Sequence, residues 1–242
     1  MNKKGLIIAV MVIVIAASVA AYYSSESSDT NTVELWRVYK TTNSTYYSSE
    51  SSDTNTGRMF GDISTSMGSP ILGDMSAPVT IVEFGDYQCH QCYNWFHNTK
   101  PSLSQDYIDT GKANLIFVDL AFLGRDSPTA AQATYCAEDQ GKYWEYHDLL
   151  YVSQESRIDN GWANKERLKA FAFSLGLDMD LFDSCIDSGK YIKRIQYNIG
   201  QAQKQEVNGT PTFVIIGPDG QQEKIVGAQP YSVFKQIIDS MV

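Results

Sequence analysis

The chain predicts an α/β domain: a strand–helix–strand unit, then a helical block, then a closing hairpin and helix. Three observations predict it. The run Val79-Thr80-Ile81-Val82-Glu83-Phe84, bounded by Pro78 and Gly85, is mostly β-branched or aromatic and reads as a buried strand. A helical stretch beginning at or near Cys89 leads from it to a second apolar run, Ala113 to Leu120. After a helical block, Thr212 to Ile216 and Glu223 to Val226 return to strand character around a Pro218-Asp219-Gly220 turn.

The N-terminal part stands apart from that domain. Lys3 and Lys4 precede Gly5 to Ala21, seventeen residues without a charge. The charge step sends the downstream chain across a membrane, so residues 1–21 are expected to be a signal-anchor or a signal peptide. Ser18-Val19-Ala20 offers small residues for cleavage, and both fates place residues after about 22 outside the cytoplasm. Residues 22–70 read as a polar linker. Tyr22 to Thr32, YYSSESSDTNT, recurs letter for letter as Tyr46 to Thr56, and too little apolar surface is present to offset ordering entropy. As a flexible coil this tether would span about 40 Å. Asn43-Ser44-Thr45 within it is a glycosylation sequon.

Residues 71–242 are enough for one core. The first two strands, joined through a helix, should pair in parallel with a right-handed crossover. Pro101 should kink that helix and Gly111 should cap its end. From about 127 to 206 the chain looks helical throughout, with Ser127-Pro128 as a start and Asp178 capping a later helix. Leu181, Phe182, Cys185 and Ile186 share one face of that helix, and Ile192, Ile195, Ile199 and Ala202 form another stripe. A last helix runs from about Tyr231 to Met241.

The chemistry points to Cys89-His90-Gln91-Cys92. A thiol at a helix N-terminus faces unpaired backbone N–H groups and the positive end of the helix dipole, both of which favour the thiolate. A second cysteine three residues on lies on the same face and can close a disulfide with the first. A net charge of −9 with no basic stretch beyond Lys3-Lys4 excludes nucleic acid as a partner. No cofactor and no metal is expected.

With ILGDMSAPVTIVEFGDYQCHQC, AEDQGKYWEYHDLLY and VNGTPTFVIIG, the chain resembles the thioredoxin superfamily and, within it, the DsbA-like disulfide oxidoreductases. The resemblance covers nearly all of Pro70 to Val242. It implies a thioredoxin fold with a helical domain inserted at about 123–206. It implies that Cys89 is the exposed nucleophile, Cys92 the resolving cysteine, and Glu83 a buried acid that manages the inner thiol's proton. It also makes Pro211 a cis proline which, with Thr210, pairs its backbone with an extended substrate. The implied partners are reduced exported proteins and a quinone-linked membrane reoxidase. The sequence departs from the family at one point: DsbA carries proline then histidine between the cysteines, where this chain has His90 and Gln91. His90 can still favour the Cys89 thiolate from its new place, and the loss of proline predicts a weaker oxidant.

Cys136 and Cys185 fall in the helical block on apolar faces and are expected to bond to each other. Two buried free thiols are the alternative. His147 should be a packing residue and His97 exposed. The leading function is oxidation of cysteine pairs in exported proteins. Isomerase or reductase activity of the same fold is the first alternative, and a CxxC metal module completed by Cys136, Cys185 or His147 is the second. A non-catalytic adaptor of the same fold is the third.

Overall fold

A computed structural model describes residues 59–60 and 63–242. The expected membrane segment at 1–21, the duplicated 11-mers and the sequon lie outside the described residues. Among the described residues, no helix is long and apolar enough to cross a membrane.

A short antiparallel pair, β1 (Met59–Phe60) and β2 (Ile63–Ser64), comes first. The sheet is next in the chain, in order β4 (Ala113–Asp119), β3 (Val79–Gly85), β5 (Thr212–Ile216), β6 (Gln222–Val226). β3 is one of two inner strands, buried along its whole length, parallel to β4 and antiparallel to β5. That position suits a run with hydrophobic neighbours on both faces. Side chains alternate along it. Val82 and Phe84 join Ile116, Val118 and Val214 on one face, where Ile63 and Ile71 also pack. Val79 and Ile81 face the other layer with Trp95, Phe213 and Phe234. Glu83 shares the parity of that second set. Gly85 does too, and a Cβ there would lie 2.3 Å from the Phe117 ring, so only glycine lets the two strands meet with this ring between them.

The outer edge of β4 is covered. Leu72 and Leu115 exchange backbone hydrogen bonds of 2.9 and 3.0 Å, and the Ser69 N–H donates to the Phe117 carbonyl at 2.8 Å. Packed structure therefore begins before residue 71, where the linker was expected to end. Ile63 is its first buried side chain among the described residues.

The crossover runs through α1 (His90–Asn98), α2 (Lys100–Leu103) and a wider π-type turn, Ser104–Ile108. Rather than kinking one helix, Pro101 falls in the first turn of a new one, because its missing N–H costs least there. Gly111, at φ +70°, turns the chain toward β4.

The helical block comprises α3 (Ser127–Glu138), α4 (Tyr143–Val152), α5 (Lys165–Ser174), α6 (Met179–Ser188) and α7 (Ile192–Lys204), and α8 (Tyr231–Asp239) closes the domain. It is not helical throughout: residues 153–164 form an irregular loop, consistent with Asp159-Asn160-Gly161, which favours a turn. Asp126, not Ser127, is the N-cap of α3. The Ser127 hydroxyl instead accepts from Gln88 Nε2 at 3.1 Å. Asp178 does cap α6, accepting from the N–H groups of Asp180 and Leu181 at 3.0 and 3.2 Å. Phe182, Cys185 and Ile186 are buried as one face, but Leu181 is 62% exposed. Ile192 is likewise exposed, so the α7 stripe begins at Ile195. Cys136 and Cys185 are joined by a disulfide, with S–S 2.04 Å, tying α3 to α6.

Candidate active site

The loop leaving β3 is held by its own polar side chains. The Cys89 N–H donates to the Asp86 carbonyl at 2.9 Å, and Asp86 Oδ2 accepts from the Phe122 and Leu123 N–H groups at 2.9 and 3.0 Å. Gln88 grips Asp159 in two directions: its Nε2 donates to Oδ1 at 3.0 Å and its Oε1 accepts from the Asp159 N–H at 2.8 Å. The loop that presents the first thiol is thus fixed from the helical block, at residues whose sequence carried no signal of it.

Cys89 is the N-cap of α1, in extended conformation at φ −81°, ψ 116°. It is only 5% exposed rather than open to solvent as the resemblance implies, because the Thr210-Pro211 loop packs against it. Its Sγ takes the place of a capping oxygen and accepts the Cys92 N–H at 3.3 Å. A hydrogen bond from the Cys92 side chain is the largest influence on the Cys89 thiol. Burial opposes it, while the Thr210 side chain and the N–H groups of Cys92 and Gln91 assist, bringing the pKa down to about 6. His90 has no part in that set. It is exposed, and its ring stacks on Tyr93 with centroids 5.7 Å apart, so the Cys92 thiol and the N–H groups of the helix start, rather than an imidazole, hold the thiolate.

Opposite lies the Thr210-Pro211 bond, which is cis. The Cys89 thiol donates to the Thr210 carbonyl at 3.2 Å. The pairing of β3 with β5 brings this loop to the dithiol across more than a hundred residues of chain. Cys92 is wholly buried, and burial, then its contacts with Cys89 and the Glu83 charge, push its thiol well above the ordinary value. Glu83 is 1% exposed, and its Oε2 has no hydrogen-bond partner among the described residues. Burial drives its pKa up to about 8.

The site therefore pairs one thiol that ionises readily with one that holds its proton, above a carboxyl that is neutral at pH 7. Glu83→Gln tests the last point. Because the folded pKa of Glu83 lies above its unfolded value of 4.5, its contribution to stability is complete below pH 4.5 and is lost as pH rises toward 8. The glutamine variant is expected to gain on the parent by about 1.4 kcal/mol per pH unit within that window. Chemical unfolding of the reduced proteins between pH 4 and 9 measures this, and a pH-independent difference would contradict it.

His147 is buried in aromatic packing, with Nδ1 2.9 Å from the Tyr87 hydroxyl. His97 is exposed, as expected. The disulfide removes Cys136 and Cys185 as ligands for a CxxC metal site. Sequence reasoning missed Tyr151, which lies among Glu83, Cys89 and Cys92, and the buried ion pair Lys100–Asp148. A lysine eight residues after Cys92 is a faint signal, and Asp148 gives none.

A dithiol with its two protons held so unequally passes a disulfide to or from another protein, which is the work of thiol:disulfide oxidoreductases of thioredoxin fold. The five helices between β4 and β5 mark the DsbA-like branch. A family model described as Thioredoxin matches residues 65–240, and the chain belongs to that family. It is 32% identical over 151 residues to the probable disulfide bond formation protein D of Bacillus anthracis, covering 60% of this chain and 69% of the relative. With disulfide bond formation protein D of Bacillus subtilis it shares 30% over 151 residues, 61% of this chain and 68% of the relative. Oxidised BdbD from Bacillus subtilis superposes with a TM-score of 0.67 at 27% identity, covering 75% of this chain and 96% of that one. Wolbachia pipientis alpha-DsbA1 gives 0.63 at 27%, covering 71% and 89%. The protein is a thiol:disulfide oxidoreductase.

Proposed function

We propose that the protein oxidises cysteine pairs in exported proteins through a Cys89–Cys92 disulfide. A substrate thiolate attacks Cys89 Sγ, and the bond to Cys92 breaks. The departing Cys92 sulfur takes a proton from Glu83, which is neutral at pH 7 and the stronger acid of the two. The second substrate thiolate attacks its partner's sulfur in the mixed disulfide and expels Cys89 as a thiolate. Two electrons now reside on the enzyme as a dithiol, and a quinone-linked membrane reoxidase is the proposed acceptor. Thr210 and Pro211 would align the substrate as an added strand beside the dithiol.

The observation that carries this reading is Cys89 at the helix start. A thiol pKa of about 6 in place of 9 stabilises the reduced protein at pH 7 by about 1.4 kcal/mol, making the disulfide about 30 mV more oxidising. A low pKa also makes Cys89 the better leaving group in the second step. Alkylation of the reduced protein with iodoacetamide should give a titration centred near pH 6. Recovery of activity by reduced, denatured ribonuclease should consume one enzyme disulfide per bond formed. A midpoint near 9, or no transfer to ribonuclease, would sink the proposal. The charge step at residues 3–21 supports a site of action outside the cytoplasm, with that segment either retained as an anchor or cleaved.

A further inference from the structure

Lys100 and Asp148 lie inside the core, 2% and 0% exposed, with Nζ 2.5 Å from Oδ1, and the exchange steps above make no use of them. Their placement results from the break before Pro101, which makes Lys100 the first residue of α2. Cys92 and Phe96 lie four residues apart and share a face of α1. Helical side chains lean toward the N-terminus. The Lys100 stem runs back over Phe96, with Nζ 4.6 Å from that ring's centre and 5.7 Å from Trp144. Its charge thereby acts on Glu83. After burial, Lys100 is the strongest influence on the Glu83 carboxyl and favours its ionised form, while Asp148 opposes it.

We propose that the Lys100–Asp148 pair positions the proton of the resolving step: Asp148, supplied by the helical insertion, offsets the Lys100 charge so that Glu83 remains protonated and able to serve Cys92. This rests on the role given to Glu83 above. The other titratable groups acting on or with Glu83 are Cys89 at the N-cap of α1, Cys92 within α1 and Tyr151 from α4, and Tyr151 in turn feels Asp86 on the loop after β3. His147 Nε2 stands 3.9 Å from Asp148 Oδ1. Burial, aided by Lys100, keeps that imidazole uncharged, so Asp148 is the counter-charge to Lys100 in this set. Without Asp148, the Lys100 ammonium would draw Glu83 further toward its carboxylate form, and less of the acid would hold a proton to give at pH 7.

The test monitors the Glu83 carboxyl by carbon-13 NMR in the reduced protein. Asp148→Asn should lower its midpoint by about one pH unit or more, and Lys100→Met should raise it. The double variant should return it toward the parent value, and Lys100→Arg should leave it near the parent. Equal midpoints in both single variants would reduce the pair to a structural link and overturn the proposal. Because an unpaired buried charge can prevent folding, the same coupling is also read in the unaltered protein. The Lys100 ε-carbon resonance should step near pH 8, and Glu83→Gln should abolish the step. No step in the parent overturns the proposal as well. Thiol exchange by the parent with a reduced peptide is measured alongside. Its absence, with the Glu83–Lys100 coupling intact, would discard the oxidoreductase chemistry and spare the electrostatic assignment.

Discussion

Cys92→Ser, offered a disulfide-containing peptide, is expected to stop as a covalent enzyme–peptide complex joined through Cys89. The Cys89 thiolate needs nothing from Cys92 beyond a hydrogen bond to attack, since the N–H groups of Gln91 and Cys92 also hold it. Release needs a second sulfur on the same helical face, and that neighbour acts at an effective concentration no external thiol matches. Turnover should fall by orders of magnitude while the first step persists. Non-reducing electrophoresis and intact mass reveal the complex. Cys89→Ser should form none, because the remaining thiol is wholly buried and, unlike Cys89, holds its proton. A complex of equal yield in Cys89→Ser would reverse the assignment of the two cysteines.

The second large effect concerns the scaffold. Replacing Cys136 and Cys185 together by alanine opens a link across a sequence separation of 49 residues. The expected loss is about 4 kcal/mol in the chain-entropy treatment. For a domain this size that is a large share of the whole. Urea unfolding of parent and double variant measures it, and a loss under about 1 kcal/mol would show that packing of α3 on α6 suffices. The double replacement is needed because a lone thiol could attack the Cys89–Cys92 disulfide. Below the unfolding transition, the alkylation titration of Cys89 should not move.

Legibility in the sequence tracks the range of the forces involved. β3, β4 and β5 show in the sequence because a strand buried on both faces requires a mostly apolar, β-branched or aromatic run. α6 shows because Asp178 announces its start. The CxxC is legible because its chemistry is local, three residues and a helix start. Loop 153–164 reads wrongly as helix, since its fate is set by Gln88 and the N–H groups of Arg125 and Asp126 grasping Asp159. Leu181 falls outside its expected face because periodicity gives a face but not its edges. His90 looks like a partner for the thiolate by adjacency, yet the first turn of α1 swings it outward onto Tyr93. Lys100 and Asp148 escape notice because nothing local foretells that residues 48 apart in sequence will meet.

Four cysteines permit three pairings, and the bond present, 136 with 185, leaves 89 with 92. Partners are thus consecutive in order of synthesis. A chain emerging amino end first, and crosslinked as it emerges, meets each correct mate before any rival appears. Maturation of this catalyst then calls for oxidising equivalents alone, with no reshuffling, whichever molecule delivers them.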